Sequence, residues 1–291
     1  MIDVFWWSRV REKNGELENF GDCLVPYLLK KTTSEPFRWV APNRNRTLRI
    51  FGKKKHYLII GSILRRATEH SIIWGAGIMF HNSNVPKAKF LAVRGPLTRK
   101  RLLSLGYHVP EKYGDPALLL SLFNSPKKVK NYKLGFIPHF LDYEAVKEKY
   151  LGNKEIRIIN LLTKNPQQVI DEINDCEKIL SSSLHGVIVG HALEIPSLWI
   201  KISDKLKDDI KFYDYYESLD IKYAVAIPFN KYTLREIDEI FELYSNLTLP
   251  KTHKMNKLML DLIETFPFKK SKEFRNAINL HFPLQNFLKY N

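Results

Sequence analysis

The chain is short of cysteine, of acidic residues and of long apolar runs. Only two cysteines, Cys23 and Cys176, occur in 291 residues, and neither belongs to a CxxC or Cys/His cluster. That usage argues against a disulfide framework or a zinc site and fits a reducing compartment. No metal is expected. No apolar run approaches the roughly 18 residues of a membrane span, and the opening MIDVFWWSRVREKNGE meets charge too early for a secretory leader. The expected location is cytoplasmic. Acidic residues number 31 against 46 Lys and Arg, a formal charge of +15, so the chain carries a field that attracts anions of any class. With no zinc-finger spacing, no RNP-like aromatic signature and no basic helix interleaved with aromatics, nucleic acid is not an expected partner. No internal repeat with a period of about 20–50 residues is visible.

What is present is a regular alternation. Short β-rich runs at 3–7, 56–60, 72–74 and 90–93 are interleaved with helical patterns at 22–31 and 96–105, and Gly106 is placed to end the second. A short helix is expected after Asp115-Pro116. The polar, basic stretch NSPKKVKN at 124–131 interrupts the pattern, which restarts with strands at 133–138, 156–161, 178–181 and 198–202. Helices at 166–176 and 184–193 separate them, the first capped by Asn165 with Pro166 at its first position. Beyond Pro228 the strands stop, and helical patterns at 234–244 and 251–264 close the chain. The expected fold is α/β, with two Rossmann-like domains facing across a cleft. They comprise residues 1–125 and 130–250, followed by a basic helical tail over 251–291.

The stretch EKILSSSLHGVIVGHALEIPSLWI, from Glu177 to Ile200, carries most chemistry. A strand breaks into Ser181, Ser182 and Ser183, and His185-Gly186 opens an apolar helix. Hydroxyls and N–H groups at a helix amino end favour an anion, and a first-turn histidine can meet a phosphate or carboxylate. The plainer alternative is a strand–turn–helix with serine caps and a packed histidine. Four other turns lie where a parallel strand gives way to a loop: Asn19-Phe20-Gly21-Asp22, Gly61-Ser62-Ile63-Leu64, Trp74-Gly75-Ala76-Gly77 and Arg94-Gly95-Pro96. Open α/β sheets place their ligands at that edge.

Arg94 ends an apolar strand, so its guanidinium is expected to project into the cleft and grip a carboxylate or phosphate; the alternative is an interdomain salt bridge. His139 follows Ile137-Pro138 at another strand end. Lys211 and Asp214, in KFYDY, supply a cation and a carboxylate, or else belong to an amphipathic helix with Phe212 and Tyr215 in the core. Runs such as Lys53-Lys54-Lys55 and 127–130 read as solvated surface.

Taken in order, NFGD, GSILR, WGAG, RGPLTRKRLLSLG, GDPALLL, GFIPH and SSSLHGVIVGHALEIP resemble the polysaccharide pyruvyl transferases, particularly the succinoglycan-type branch, over residues 3–216. The resemblance implies a GT-B-like fold, with the acceptor on the amino-terminal side and the donor on the carboxy-terminal side. It implies transfer of the enolpyruvyl group of phosphoenolpyruvate onto a sugar of a surface-polysaccharide or lipid-linked saccharide precursor, forming a pyruvate ketal without a cofactor. By motif, His185 is the expected general acid and Arg94 the donor clamp. Ser181, Ser182, Ser183, Gly186, His139 and Lys211 are expected to bind donor, and Asn19 and Asp22 acceptor. One position departs: several members carry an arginine two residues before the histidine, where this chain has Ser183. Two other readings fit a basic cleft with glycine turns, a nucleotide-sugar glycosyltransferase and an inactive carbohydrate-binding or scaffold protein.

In the tail, Met255, Leu258, Met259, Leu262 and Ile263 recur at helical spacing, while Phe266 and Phe268 are flanked by lysines. A helix bracing a domain produces that pattern, and so does peripheral contact with anionic membrane.

Overall fold

A computed structural model describes residues 1–42, 54–202, 208–222, 224–229 and 232–283. Lys53 and tail residues 284–291 lie outside the described residues. The first half comprises β1 (Ile2–Phe5), α1 (Arg9–Lys13), β2 (Glu18–Asn19), α2 (Phe20–Thr32), β3 (Phe37–Trp39), β4 (His56–Leu58), β5 (Ser71–Trp74), β6 (Lys89–Ala92) and α3 (Pro96–Ser104). A 3-10 helix, Pro116–Leu122, leads into β7 (Tyr132–Ile137), α4 (Tyr143–Lys149), β8 (Ile156–Ile158), β9 (Leu162–Thr163), α5 (Pro166–Asn174), β10 (Cys176–Ser181) and α6 (Leu184–Ala192). Then follow β11 (Ser197–Lys201), α7 (Ile210–Ser218), β12 (Ile227–Pro228), α8 (Leu234–Leu243), α9 (Ser245–Thr248), α10 (Thr252–Glu264) and α11 (Lys272–His281).

Two five-stranded sheets result, ordered β3-β1-β4-β5-β6 and β12-β11-β10-β7-β8. Every pairing within them is parallel, as the Rossmann-like alternation predicts. Sheets covered on both faces need apolar strands, and all four residues of β1 are buried. A parallel sheet also sends every strand's carboxyl end to one edge. The turns after β1, β4, β5 and β6 therefore collect on one rim, and those after β7 and β10 on another.

The antiparallel pair β2–β9 joins a loop of the first half to one of the second, matching Glu18 with Thr163 and Asn19 with Leu162. The Phe20 N–H donates to the Leu161 carbonyl at 2.8 Å, continuing the link. Apolar packing is equally indifferent to the basic stretch at 124–131. One cluster of buried side chains runs from Ile2 and Val4 through Leu24 and Leu118 to Ile137, Val187 and Leu262.

Helix caps follow local chemistry. Asn165 accepts from the Gln167 N–H with Pro166 at the first helical position, and Gly106 takes φ +80° just beyond α3. The helix expected after Asp115 forms as a 3-10 helix, capped by Asp115 accepting from the Ala117 N–H. The tail holds one helix more than its pattern suggests, α11. Met255, Leu258, Met259, Leu262 and Ile263 of α10 are all buried. The Trp74 indole donates to the Leu262 carbonyl at 3.1 Å. Phe268 is buried, edge-on to Tyr57 at 4.6 Å, and Phe266 meets Trp74 at 5.2 Å. The aromatic pair considered for lipid contact thus packs against β4 and β5, Phe268 buried and Phe266 half-buried. No helix among the described residues is long and apolar enough to cross a membrane.

Candidate active site

A cavity of about 510 Å³ is lined by Trp7, Asn19, Asp22, Gly61, Ser62, Ile63, Arg65, Arg66 and Met79 from the first half. His139, Phe140, Ser183, Leu184, His185 and Lys211 complete it from the second. Both rims of strand carboxyl ends therefore contribute, including turns after β1, β4, β7 and β10.

The serine turn supplies less than its three hydroxyls suggest. Ser181 closes β10, and its Oγ donates to the carbonyls of Ile137 and Ser183 while accepting from the Ser183 N–H. Ser182 Oγ accepts from the His139 N–H at 2.8 Å, fastening one cavity loop to another. Neither residue lines the cavity, so only Ser183 of the three is available to a donor. Gly186 likewise sits behind the site: a Cβ there would lie 2.3 Å from Ser181 Oγ, so it lets α6 close on β10. These are corrections to their expected donor-binding roles. The Ser181 hydroxyl makes the turn that aims α6, and that of Ser182 holds the loop after β7.

Helix α6 begins at Leu184, with Ser183 making no side-chain cap. Gly186 and Val187 donate to the Ser183 carbonyl, which leaves the N–H groups of Leu184 and His185 without an intrahelical acceptor. The positive end of the helix dipole thus faces the cavity through residues that line it.

His185 lies in that first turn with a side chain 14% exposed, and its Nε2 stands 3.6 Å from Oδ2 of the fully buried Asp115. Both atoms are buried without a hydrogen-bond partner. The other face of the ring rests on α2. A Cβ at Gly21 would fall 2.1 Å from His185 Nδ1, so any larger residue would displace the imidazole. The NFGD motif therefore builds the site twice. Asn19 caps α2 by accepting from the Gly21 N–H at 3.0 Å, and Asp22 turns into the cavity.

Burial, with Glu18 and Glu12 nearby, holds the Asp22 carboxyl well above the usual carboxylate range, against the pull of Lys211. Burial and the neighbouring Arg94 bring the Lys211 ammonium down to about 8, opposed by Asp209 and Asp22. Lys211 makes no hydrogen bond or ion pair among the described residues, standing 5.3 Å over the Phe212 ring. Arg65 lines the cavity from an exposed position, also with no such partner among the described residues. Its neighbour Arg66 is paired with Glu12.

Arg94 does not project into the cavity. Its side chain is fully buried, and Nε donates to Asp214 at 2.9 Å, Nη1 to Ser62 at 2.8 Å and Nη2 to the Ile78 carbonyl at 2.9 Å. Asp214 is shared with Thr98, through both the N–H and the hydroxyl. A guanidinium taken out of water needs a carboxylate, and the one in KFYDY is in reach because α7 packs on α3. Arg94 therefore holds Ser62 of the cavity wall from behind.

The structure brings His185, Ser183, His139, Lys211, Asn19 and Asp22 together and leaves Arg94, Ser181, Ser182 and Gly186 behind them. It adds Asp115, Ser62 and Arg65. The glycine turn at Gly61 and the motif GDPALLL pointed to these segments, but not to the side chains. Among the described residues, no group of three or more His, Cys, Asp or Glu is placed to hold a metal ion. Cys23 and Cys176 are both free and buried, each thiol pushed up to about 12 mainly by that burial.

The sequence model of the polysaccharide pyruvyl transferase family matches residues 12–205, a segment that includes Asn19, Asp22, Asp115 and His185. An uncharacterized protein of Acanthamoeba polyphaga mimivirus is 28% identical over 239 residues, covering 76% of this chain and 82% of its own length. The succinoglycan biosynthesis protein ExoV of Rhizobium meliloti is 25% identical over 179 residues, 56% of this chain and 54% of its own. No solved structure matches the chain at comparable significance.

Proposed function

The chain belongs to the polysaccharide pyruvyl transferase family, and from that membership we propose that it moves the enolpyruvyl group of phosphoenolpyruvate onto a saccharide or lipid-linked saccharide, forming a pyruvate ketal. The observation that carries this reading is the amino end of α6, where free N–H groups and His185 face a cavity that also holds Lys211 and Arg65. A small trianionic donor suits that set. The N–H groups of Leu184 and His185 would take phosphate oxygens, with Lys211 and Arg65 supplying charge where the chain has Ser183.

The chemistry requires an acid at the donor's methylene carbon. His185, as imidazolium, would give its proton to C3, the C2=C3 electron pair forming the new C–H bond and leaving C2 cation-like. A sugar hydroxyl then bonds to C2. Its proton passes to Asp22, a cavity carboxylate with no hydrogen bond among the described residues, kept basic by burial. A second hydroxyl displaces phosphate from C2, its proton leaving with the phosphate. Asn19 and His139 would position acceptor and donor from the two rims. In this proposal the two sheets are those of GT-B-like domains, 1–125 and 130–250, facing across the cavity. A cytoplasmic location goes with it, since a phosphorylated acid does not cross a membrane unaided.

The test is donor consumption. The protein is incubated with phosphoenolpyruvate, or with nucleotide sugars, and a lipid-linked saccharide, and product mass and phosphate release are measured. Phosphate release with a ketal product is expected, lost in His185→Gln at unchanged melting temperature. Consumption of a nucleotide sugar instead would overturn the reading in favour of a glycosyltransferase. Binding of saccharide without turnover would leave a carbohydrate-binding protein.

A further inference from the structure

Asp115 is the least explained charged group in the molecule. Its side chain is fully buried, and one oxygen, Oδ1, is used: it accepts from the Ala117 N–H at 3.0 Å and caps the 3-10 helix. Capping needs only that oxygen. Oδ2 is buried with no hydrogen-bond partner, and the atom it faces, His185 Nε2, is buried and unpartnered too. A buried polar atom left unpaired is costly, and two such atoms 3.6 Å apart are the two halves of one interaction.

The two ring nitrogens of His185 are not equivalent. Nε2 is closed off from solvent, whereas Nδ1 makes no hydrogen bond and is not closed off. It lies over Gly21, 2.1 Å from where a Cβ would stand. We propose that Asp115 is the positioning residue of His185, its carboxylate accepting the Nε2–H so that Nδ1 alone carries the working proton. The inference rests on the reading of His185 as general acid.

Its consequence for the step is definite. Nδ1–H of the imidazolium gives its proton to C3 of the donor, and the C2=C3 pair forms the C–H bond. The ring is left neutral with its remaining proton on Nε2, against Asp115. No rotation of the ring is needed, and the tautomer left behind has a bare Nδ1 ready to be recharged from solvent. Asp22 on α2, Lys211 on α7, and Arg65 and Arg66 in the first-sheet turn, the latter paired with Glu12, are the other charged groups lining this cavity.

Asp115→Asn separates this role from simple support. Asparagine caps a helix as well as aspartate does, so Oδ1 can still receive the Ala117 N–H. An NH2 group then faces Nε2. Because an amide N–H donates, Nε2 becomes the acceptor and the neutral ring carries its proton on Nδ1. The measurement is 15N NMR of histidine-labelled protein at alkaline pH, with the His185 signals identified by their loss in His185→Gln. The parent is expected to show a bare Nδ1 and a protonated Nε2. The variant is expected to show the reverse, with an unchanged melting temperature and turnover reduced roughly 10²–10⁴-fold. Unchanged 15N shifts in Asp115→Asn, or turnover within about twofold of the parent, would overturn the assignment. Retention of ketal formation by His185→Gln would instead remove the acid reading itself, while the tautomer measurement would still report on the Asp115 contact.

Discussion

Arg94 and Asp214 are 120 positions apart in the chain and meet at 2.9 Å with both side chains wholly withdrawn from solvent. The pair ties the end of β6 to α7, and through Ser62 it reaches the cavity wall. Removing one partner of such a pair leaves a buried charge unanswered, which costs about 3–5 kcal/mol. Arg94→Lys is therefore expected to lower the denaturation midpoint, since an ammonium cannot reach Asp214, Ser62 and Ile78 together. Donor KM is expected to change less. A variant as stable as the parent, with only KM raised, would return Arg94 to donor binding.

Gly21→Ala is expected to abolish transfer by pushing the imidazole off its seat, because the new Cβ would lie 2.1 Å from Nδ1. The loss of stability should vanish in a His185→Ala background, where the obstructed ring is gone. A double-mutant cycle of unfolding free energies checks this. Equal cost in both backgrounds would place the strain elsewhere.

Lys211, with its ammonium at about 8, sets an alkaline limit on anion binding. Above that pH the neutral amine predominates, so affinity for phosphoenolpyruvate measured by calorimetry should fall. In Lys211→Arg the affinity should stay level through the same range. Stability moves the opposite way: the folded-state value lies below the unfolded value of about 10.4, so the charged form is disfavoured on folding. Stability should rise between those two pH values in the parent and not in the variant. Identical curves for both proteins would remove Lys211 from the site.

The tail is expected to behave as a brace. Phe274 is fully buried, and Phe274→Ala should cost about 3–5 kcal/mol in denaturant unfolding. If lysines alone draw the protein to anionic liposomes, sedimentation should weaken with salt and be unaffected by Phe268→Leu. Loss of liposome binding in that variant at unchanged stability would show that Phe268 leaves the core to enter lipid.

The parts of the molecule that local chemistry dictates were readable in advance. The strand–helix alternation, Asn165 and Gly106 as caps, and His185 in a first turn at a strand's carboxyl edge all depend on residues within a few positions of each other. What escaped depends on separation. Asp115 is 70 positions from His185 and looks like an ordinary cap, its second oxygen meaningful only once α6 is packed beside it. The strand-end guanidinium of Arg94 reads equally as a donor clamp or as a salt bridge, and only the packing of α7 on α3 shows Asp214, 120 positions away, to be its partner. Ser181 and Ser182 lie outside the cavity for the same reason: the Ile137 carbonyl and the His139 N–H that hold their hydroxyls are 44 and 43 positions away.

The shared apolar cluster sets how the molecule can move and come apart. With Val4 of β1, Val187 of α6 and Phe274 of α11 in one body of hydrocarbon, neither sheet can leave the other without wetting it. The protein should melt as one cooperative unit, and a chain cut at 124–131 should yield no two independently soluble pieces. Any closing about the substrate is limited to what packed side chains can slide, so the width of the cleft is decided during folding rather than by the ligand that arrives.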